Sequence, residues 1–382
     1  MMRRTRQTPS LLTLLLAALA AFSPPGRADD LSPTAAAIDQ VARAAIAAGE
    51  VPGLQIAIYK DGVPLLVKGY GLANLELNVP VNDDTVFRIG SITKQFTAAA
   101  LLLLQEEGKL SLDDKLAKYY PGFPGAADIS LKQMLHHTSG LRNYTAEESF
   151  RRLDQKQMMP TDQWVEYFAR MPKTQDFEPG TAYSYSNTGY FLLGAVIEKV
   201  EGKPLAAVFR DRFFVPLGMA HTALDDEKDI VPGRAAGYDN DAQGKFRNAD
   251  FISLSAVGAA GAIRSTASDL VRWNNALFGG KVLTPASFQA MITPGKLNDG
   301  RTSSSVKKSE LDGEYGLGLV LTSLEGRRCI RHHGAIRGFS SVLQQFPEER
   351  LTIALLFNSL DEDKRAFEVA ERIRRVAIGV AP

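Results

Sequence analysis

Cysteine is almost absent: Cys329 is the single one in 382 residues, so no internal disulfide can form and stability has to come from packing. Histidine is sparse as well, five in all, and neither H-E-x-x-H nor C-x-x-C occurs, which removes the common zinc patterns. Glycine loops that cradle phosphate are missing, and so is the G-x-S-x-G elbow of α/β-hydrolases. No cofactor and no metal is therefore expected. An excess of one charge is also lacking, with 44 basic residues facing 43 acidic ones, which argues against a nucleic-acid partner. No internal repeat is found.

What remains is an ordinary globular composition, 45% hydrophobic and 23% charged, enough to build one large domain or two interlocked ones. Arg3, Arg4 and Arg6 precede an apolar run at 11–22, followed by Pro24, Pro25 and the small-residue site Gly26-Arg27-Ala28. This is the layout of a secretory signal, and the run is shorter than the ~20 residues that span a bilayer. Residues 1–28 are expected to be removed, leaving 29–382 as an exported bacterial protein, periplasmic or secreted, with no stable membrane insertion. Removal takes four arginines and no acid, so the mature chain turns slightly negative.

Hydrophobic patterning divides the chain into strand-rich ends and a helical middle. An alanine-rich helix at 33–49 precedes strands 54–60 and 63–71, joined by the hairpin dipeptide Asp61-Gly62. Ile92, Phe96, Ala99, Ala100, Leu103 and Leu104 then fall at helical spacing until Gly108. Further helices are expected at 161–171, at 191–200 ending in Gly202, and at 268–278, opened by a capping Ser268 and stopped by Gly279-Gly280. Strands return at 315–321, 327–332, 340–347 and 351–358, and Phe367, Ala370, Ile373 and Val376 mark a terminal helix. The fold class is α/β. An antiparallel sheet is built from both chain ends (about 29–90 and 300–382) and flanked by helices, with a mainly helical lobe (about 91–299) inserted and a cleft between. The stretch 295–313 reads as a solvated loop.

Three segments carry possible chemistry. In Gly90-Ser91-Ile92-Thr93-Lys94 the serine and lysine lie three apart at the start of a helix, so they share a face, and the N–H of a first-turn residue is free to meet an oxyanion. Alone, this pattern is as easily a helix cap beside a surface lysine. In Tyr183-Ser184-Tyr185-Ser186-Asn187, Tyr185 can pass a proton and Asn187 can hold an amide, although a polar turn would look the same. In Arg331-His332-His333-Gly334-Ala335-Ile336-Arg337, Gly334 allows a backbone to come close and the Ala335 N–H can serve as a second oxyanion donor. An extended substrate would then add to the sheet edge. His136 and His137 are read as fold residues, and Cys329 as a small buried core residue.

Taken together, Ser91-Ile92-Thr93-Lys94, Tyr185-Ser186-Asn187 and His332-His333-Gly334 resemble the S-x-x-K, Y-x-N and K-T-G or H-x-G motifs of the serine β-lactamase, penicillin-binding protein and esterase superfamily, closest to its class C-like branch. The segments MLHHTSGL, FEPGTAYSYSNTGYFLLG, FFVPLGM, GAAGAIRSTASDLVRW and YGLGL extend the resemblance over nearly all of 29–382. It implies a β-lactamase/transpeptidase-like fold and an acyl-enzyme route in which Ser91 attacks and Lys94 and Tyr185 move protons, either one serving as base. It further implies that Asn187 aligns Lys94 and substrate, that the Ser91 and Ala335 N–H groups form the oxyanion hole, and that His332 stands where β-lactamases keep a lysine. His333, Gly334 and Arg337 would contact substrate.

A histidine of ordinary pKa carries little charge at neutral pH, which disfavours recognition of a penicillin carboxylate at that place. Arg331 or Arg337 can restore a charge there. The expected function is hydrolysis of small ester or amide bonds, including D-amino-acid peptides. The alternatives are a D-alanyl-D-alanine carboxypeptidase or β-lactamase, or a wall-peptide or penicillin binder without turnover. The partner is a small-molecule or peptide substrate, and the oligomeric state stays open.

Overall fold

A computed structural model describes residues 31–152, 154–302, 313–360 and 364–381. The expected leader at 1–28, and most of the loop expected at 295–313, lie outside them. The principal sheet has eight antiparallel strands: β1 (Gly53–Lys60), β2 (Val63–Asn74), β3 (Val79–Pro80), β4 (Glu314–Tyr315), β5 (Val320–Leu324), β6 (Arg327–Ile336), β7 (Phe339–Phe346) and β8 (Leu351–Phe357), in the order β3-β2-β1-β8-β7-β6-β5-β4. Both chain ends thus contribute to one sheet, joined where Leu54 of β1 faces Phe357 of β8. The β1–β2 turn falls at Asp61 and Gly62, both with positive φ (54° and 77°), the geometry that hairpin turns of two residues require.

β1 from Gly53 to Ile58 and all of β8 are buried, and both strands are mostly apolar, because both of their faces are covered. Ile56 and Ile58, with Ile353 and Leu355, face helices α1 (Pro33–Ala47) and α5 (Arg365–Ala377) through Ile38, Ala42, Val369 and Ile373. Ala57, Ala354 and Leu356 look the other way, into the larger core that reaches α2 (Thr93–Glu106), α3 (Asn187–Glu201) and α4 (Ala267–Phe278). Cys329 is buried in the α1/α5 layer, where loss of solvation pushes its thiol up to about 12.

Two local expectations change. The strand expected at 315–321 is divided into β4 and β5, because the chain turns at Gly318 with φ +70°. Helix α4 is capped by Thr266, whose hydroxyl accepts from Asp269 N–H, and Ser268 lies inside the first turn. Three short strands, Phe87–Arg88, Ile263–Ser265 and Ala223–Leu224, form a second small sheet with Ile263–Ser265 in the centre. This clamp holds the residues before Ser91 against the loop that precedes Ile263. Ile89 N–H donates to Ile263 O at 2.9 Å, and Thr97 Oγ1 donates to Ala259 O at 2.8 Å.

Candidate active site

Ser91 sits in a single 3₁₀ turn, Gly90–Ile92, that runs directly into α2. Lys94 follows on the first turn of that helix and is fully buried. Its Nζ lies 3.0 Å from Ser91 Oγ, 2.8 Å from Asn187 Oδ1 and 2.6 Å from the carbonyl oxygen of Ala260. No carboxylate pairs with Lys94 among the described residues, and burial lowers its pKa well below the ordinary lysine value. Two of the three neighbours are carbonyl oxygens that can only accept. A neutral amine satisfies the arrangement completely: its two hydrogens go to Asn187 and Ala260, and its lone pair faces the Ser91 hydroxyl.

Asn187 is the first residue of α3, whose N-cap is Ser186. Its amide nitrogen donates to Thr145 Oγ1 at 3.3 Å, which orients Oδ1 toward the lysine. Tyr185 lies two residues earlier, with its ring centre 4.8 Å from Lys94 Nζ. Burial raises the Tyr185 pKa well above the usual phenol value, and the neighbouring Ser91 hydroxyl partly offsets that rise. Tyr185 OH is buried and makes no hydrogen bond of regular geometry among the described residues. His137, with φ +58°, packs 4.2 Å from the Tyr185 ring and accepts the Ser186 N–H on Nδ1 at 3.1 Å. It anchors the segment without lining the cleft.

On β6, alternate residues point to opposite faces. His332 faces the helical lobe and is 1% exposed. Its Nδ1 lies 2.6 Å from the His333 carbonyl and its Nε2 2.9 Å from Tyr315 OH. A carbonyl accepts, so Nδ1 carries the proton, and Nε2 accepts from the tyrosine. Burial lowers the His332 pKa to about 3. Its ring centre is 6.3 Å from that of Tyr185. His333 points to the far face, where it stacks on Phe367 of α5 at 5.4 Å, so the expectation that it touches substrate is corrected by strand alternation. Arg331, of the same parity, also lies away from the cleft, buried beside Cys329 and His333.

Gly334 is corrected in a different way. A β-carbon there would fall 2.0 Å from Ile89 O, so the missing side chain makes room for this chain's own backbone and not for a substrate. Gly90, with φ +50°, is pressed against the same strand, where a β-carbon would meet Ala335 N at 2.8 Å. These two glycines bring the Ser91 turn and Ala335 together. Pairing of β6 with β5 stops at Arg331 opposite Val320, which leaves the edge beyond it, including Ala335, facing the cleft.

That cleft has a volume of about 230 Å³, and Ser91, Asn187, Ala260, Ala335 and Arg337 are among its walls. A larger cavity of about 430 Å³ behind Ala259 holds none of the motif residues. Three participants escaped the sequence reading. Ala260 acts through a backbone carbonyl, which leaves no side-chain signal. Tyr315 lies in a recognised segment but its partner is not readable, and Arg151 lines the cleft from the short helix Glu148–Arg152, of unspecific composition.

Penicillin-binding protein 4* of Bacillus subtilis is 28% identical over 323 residues, 81% of this chain and 69% of that protein. A D-aminopeptidase of Brucella anthropi is 30% identical over 330 residues, 86% of this chain but only 60% of the relative, so the chain spans well under two thirds of that enzyme. Among solved structures, D-amino acid amidase from Ochrobactrum anthropi SV3 superposes with a TM-score of 0.80 at 28% identity, covering 91% of this chain and 99% of the amidase. The octameric penicillin-binding protein homologue from Pyrococcus abyssi gives 0.77 at 27% identity, covering 90% and 77%. Residues 38–378 match the Beta-lactamase family, and the chain belongs to it.

Proposed function

We propose that this protein is a serine hydrolase that cleaves small amide or ester bonds, D-amino-acid derivatives among them, through an acyl-Ser91 intermediate. The observation that carries the reading is the setting of Lys94: a buried amine with two carbonyl oxygens on its hydrogens and a serine hydroxyl on its remaining direction. Lys94, neutral by burial, takes the Ser91 proton as the oxygen attacks the substrate carbonyl. The developing oxyanion is held by the N–H groups of Ser91 and Ala335. Tyr185, a protonated phenol at working pH, gives its proton to the leaving amine and is reprotonated from the Lys94 ammonium; the neutral Lys94 then takes a proton from the water that attacks the acyl ester and returns it to Ser91 Oγ as the acid leaves.

Similarity to D-aminopeptidases and a D-amino acid amidase supports amide substrates. A neutral His332, in the place where the resemblance puts a lysine, supports substrates other than penicillins. Export through a leader at 1–28 belongs to the same reading, and the N-terminal residue of protein recovered outside the cytoplasm tests it. For the activity, a panel of esters, D- and L-amino-acid amides, D-Ala-D-Ala peptides and cephalosporins is run on wild type and Ser91→Ala. Turnover of D-amino-acid amides or esters that vanishes in the variant is expected; turnover that survives the substitution overturns the assignment.

A further inference from the structure

Residues 252–262 form a partition between two hollows. Ile252, Val257, Ala260 and Gly261 line the cleft beside Ser91, whereas Leu254, Gly258, Ala259 and Ala262 line the cavity of about 430 Å³ behind it. That volume falls in the range of about 300–1,000 Å³ common to small-molecule sites. Much of the remaining wall is apolar, with Phe191 and Ala195 of α3 and Leu205 of the helix Leu205–Phe209 buried there.

The polar part of the wall has one dominant sign. Glu198, Asp225, Asp226 and Glu227 line the cavity, and Lys228 is the one cation in its wall among the described residues. Asp225 is neutralised by Arg88, Arg234 and Arg264. The other three carboxylates meet neutral donors only. Glu198 accepts the Leu205 N–H at 2.8 Å, Glu227 accepts the Ser253 hydroxyl at 2.8 Å and the Leu254 N–H at 3.3 Å, and Asp226 accepts the Lys228 N–H at 2.8 Å. Arg234 reaches Asp226 through the backbone carbonyl, at 3.1 Å. None of these three side chains has an ion-pair partner among the described residues.

We propose that this cavity is a second ligand site, separate from the cleft, that takes an organic ammonium ion carried on an apolar body. The apolar walls remove the body from water, and the carboxylates supply the countercharge that an ammonium needs. Partial enclosure strengthens that attraction, because solvent ions screen it less than on an open surface. An anion of the same shape would face three carboxylates against one lysine.

Binding of 4-phenylbutylammonium, 4-phenylbutan-1-ol and 4-phenylbutyrate, which share one body and differ in charge, is measured by titration calorimetry on the full-length chain at low ionic strength. The ammonium is expected to bind with a Kd lower by roughly tenfold or more than that of the alcohol, and the carboxylate to bind most weakly. Each variant is first shown to be folded by its thermal melt. The double variant Glu198→Gln/Glu227→Gln keeps an oxygen for the Leu205, Ser253 and Leu254 donors and should bring the ammonium-to-alcohol ratio toward one. Asp226→Asn, at an exposed position, should lower the same ratio independently. Ala206→Trp sets an indole at the exposed rim of the cavity, at a residue that does not line the cleft, and should weaken ammonium and alcohol alike. Equal affinity for the ammonium and the alcohol, preference for the carboxylate, or no ammonium binding up to about 10 mM overturns the proposal. So does a ratio unmoved by the charge variants, or binding that Ala206→Trp leaves intact.

Discussion

Lys94 Nζ lies 3.0 Å from Ser91 Oγ on a wholly buried side chain whose other hydrogen-bonding directions end on the oxygens of Asn187 and Ala260. Burial lowers the pKa of this amine well below the ordinary lysine value, and that has one consequence for reactivity and another for stability.

Replacing Lys94 by Met removes the base and should slow acylation of Ser91 by roughly 10²–10⁴, read as the rate of fluorophosphonate labelling. The same change should stabilise the fold. The folded pKa of Lys94 is depressed, so below about pH 10 the unfolded chain binds a proton that the folded chain does not, and wild type loses up to ~1.4 kcal/mol for each pH unit down to the folded value. Thermal melts at a series of pH values should show Lys94→Met gaining on wild type from pH 9 toward pH 6. A gap that stays constant with pH would mean that the lysine is charged in the folded protein.

His332 titrates near 3, so it stays neutral across the working range, and its ring is committed to Tyr315 and the His333 carbonyl. The acid limb of kcat/KM should accordingly follow Lys94, rising with pH as the amine loses its proton. The profile should have the same shape in His332→Gln as in wild type. An inflection near pH 6.5 that disappears in the variant would assign the limb to the histidine.

Tyr185 keeps its proton because burial raises its pKa. As a donor it matters most where the leaving group is a poor one. Tyr185→Phe should lower kcat for amide substrates by roughly 10² or more, with KM nearly unchanged, and should affect p-nitrophenyl esters far less, since that leaving group departs without a proton. Equal losses on both substrate types would argue instead for a role of Tyr185 in deprotonating Ser91.

The contact between Gly90 and Ala335 is steric and conformational together. A β-carbon at residue 90 needs φ near +50° and would stand 2.8 Å from Ala335 N. Gly90→Ala should cost about 1–3 kcal/mol in denaturant unfolding and should reduce kcat beyond what the lost stability explains, because the strand carrying Ala335 is pushed away from Ser91.

How legible this site was depends on which force places each residue. Ser91 and Lys94 could be paired from the sequence because the α-helical period alone puts residues three apart on one face. The two ends of the sheet were legible from strand periodicity, and the hairpin from Asp61-Gly62. His332 and His333 show the limit of motif reading: both belong to the recognised segment, yet the twofold period of a strand allows only one of them to face Tyr185, the other stacking on Phe367. Gly334 was read as room for a substrate, whereas the occupant is Ile89 O, a backbone atom brought there by the small clamp sheet. The Ala260 carbonyl and the Arg151 side chain come from segments far from Ser91 in sequence, positioned by packing that no local pattern encodes.

The most direct test of the account is time-resolved intact-protein mass spectrometry during turnover of a D-amino-acid ester, with peptide mapping of the modified species. A transient mass gain equal to the acyl group on Ser91, absent in Ser91→Ala and formed more slowly in Lys94→Met, is the predicted result. Turnover with no acylated species, or an acyl group mapped to any other residue, would contradict it.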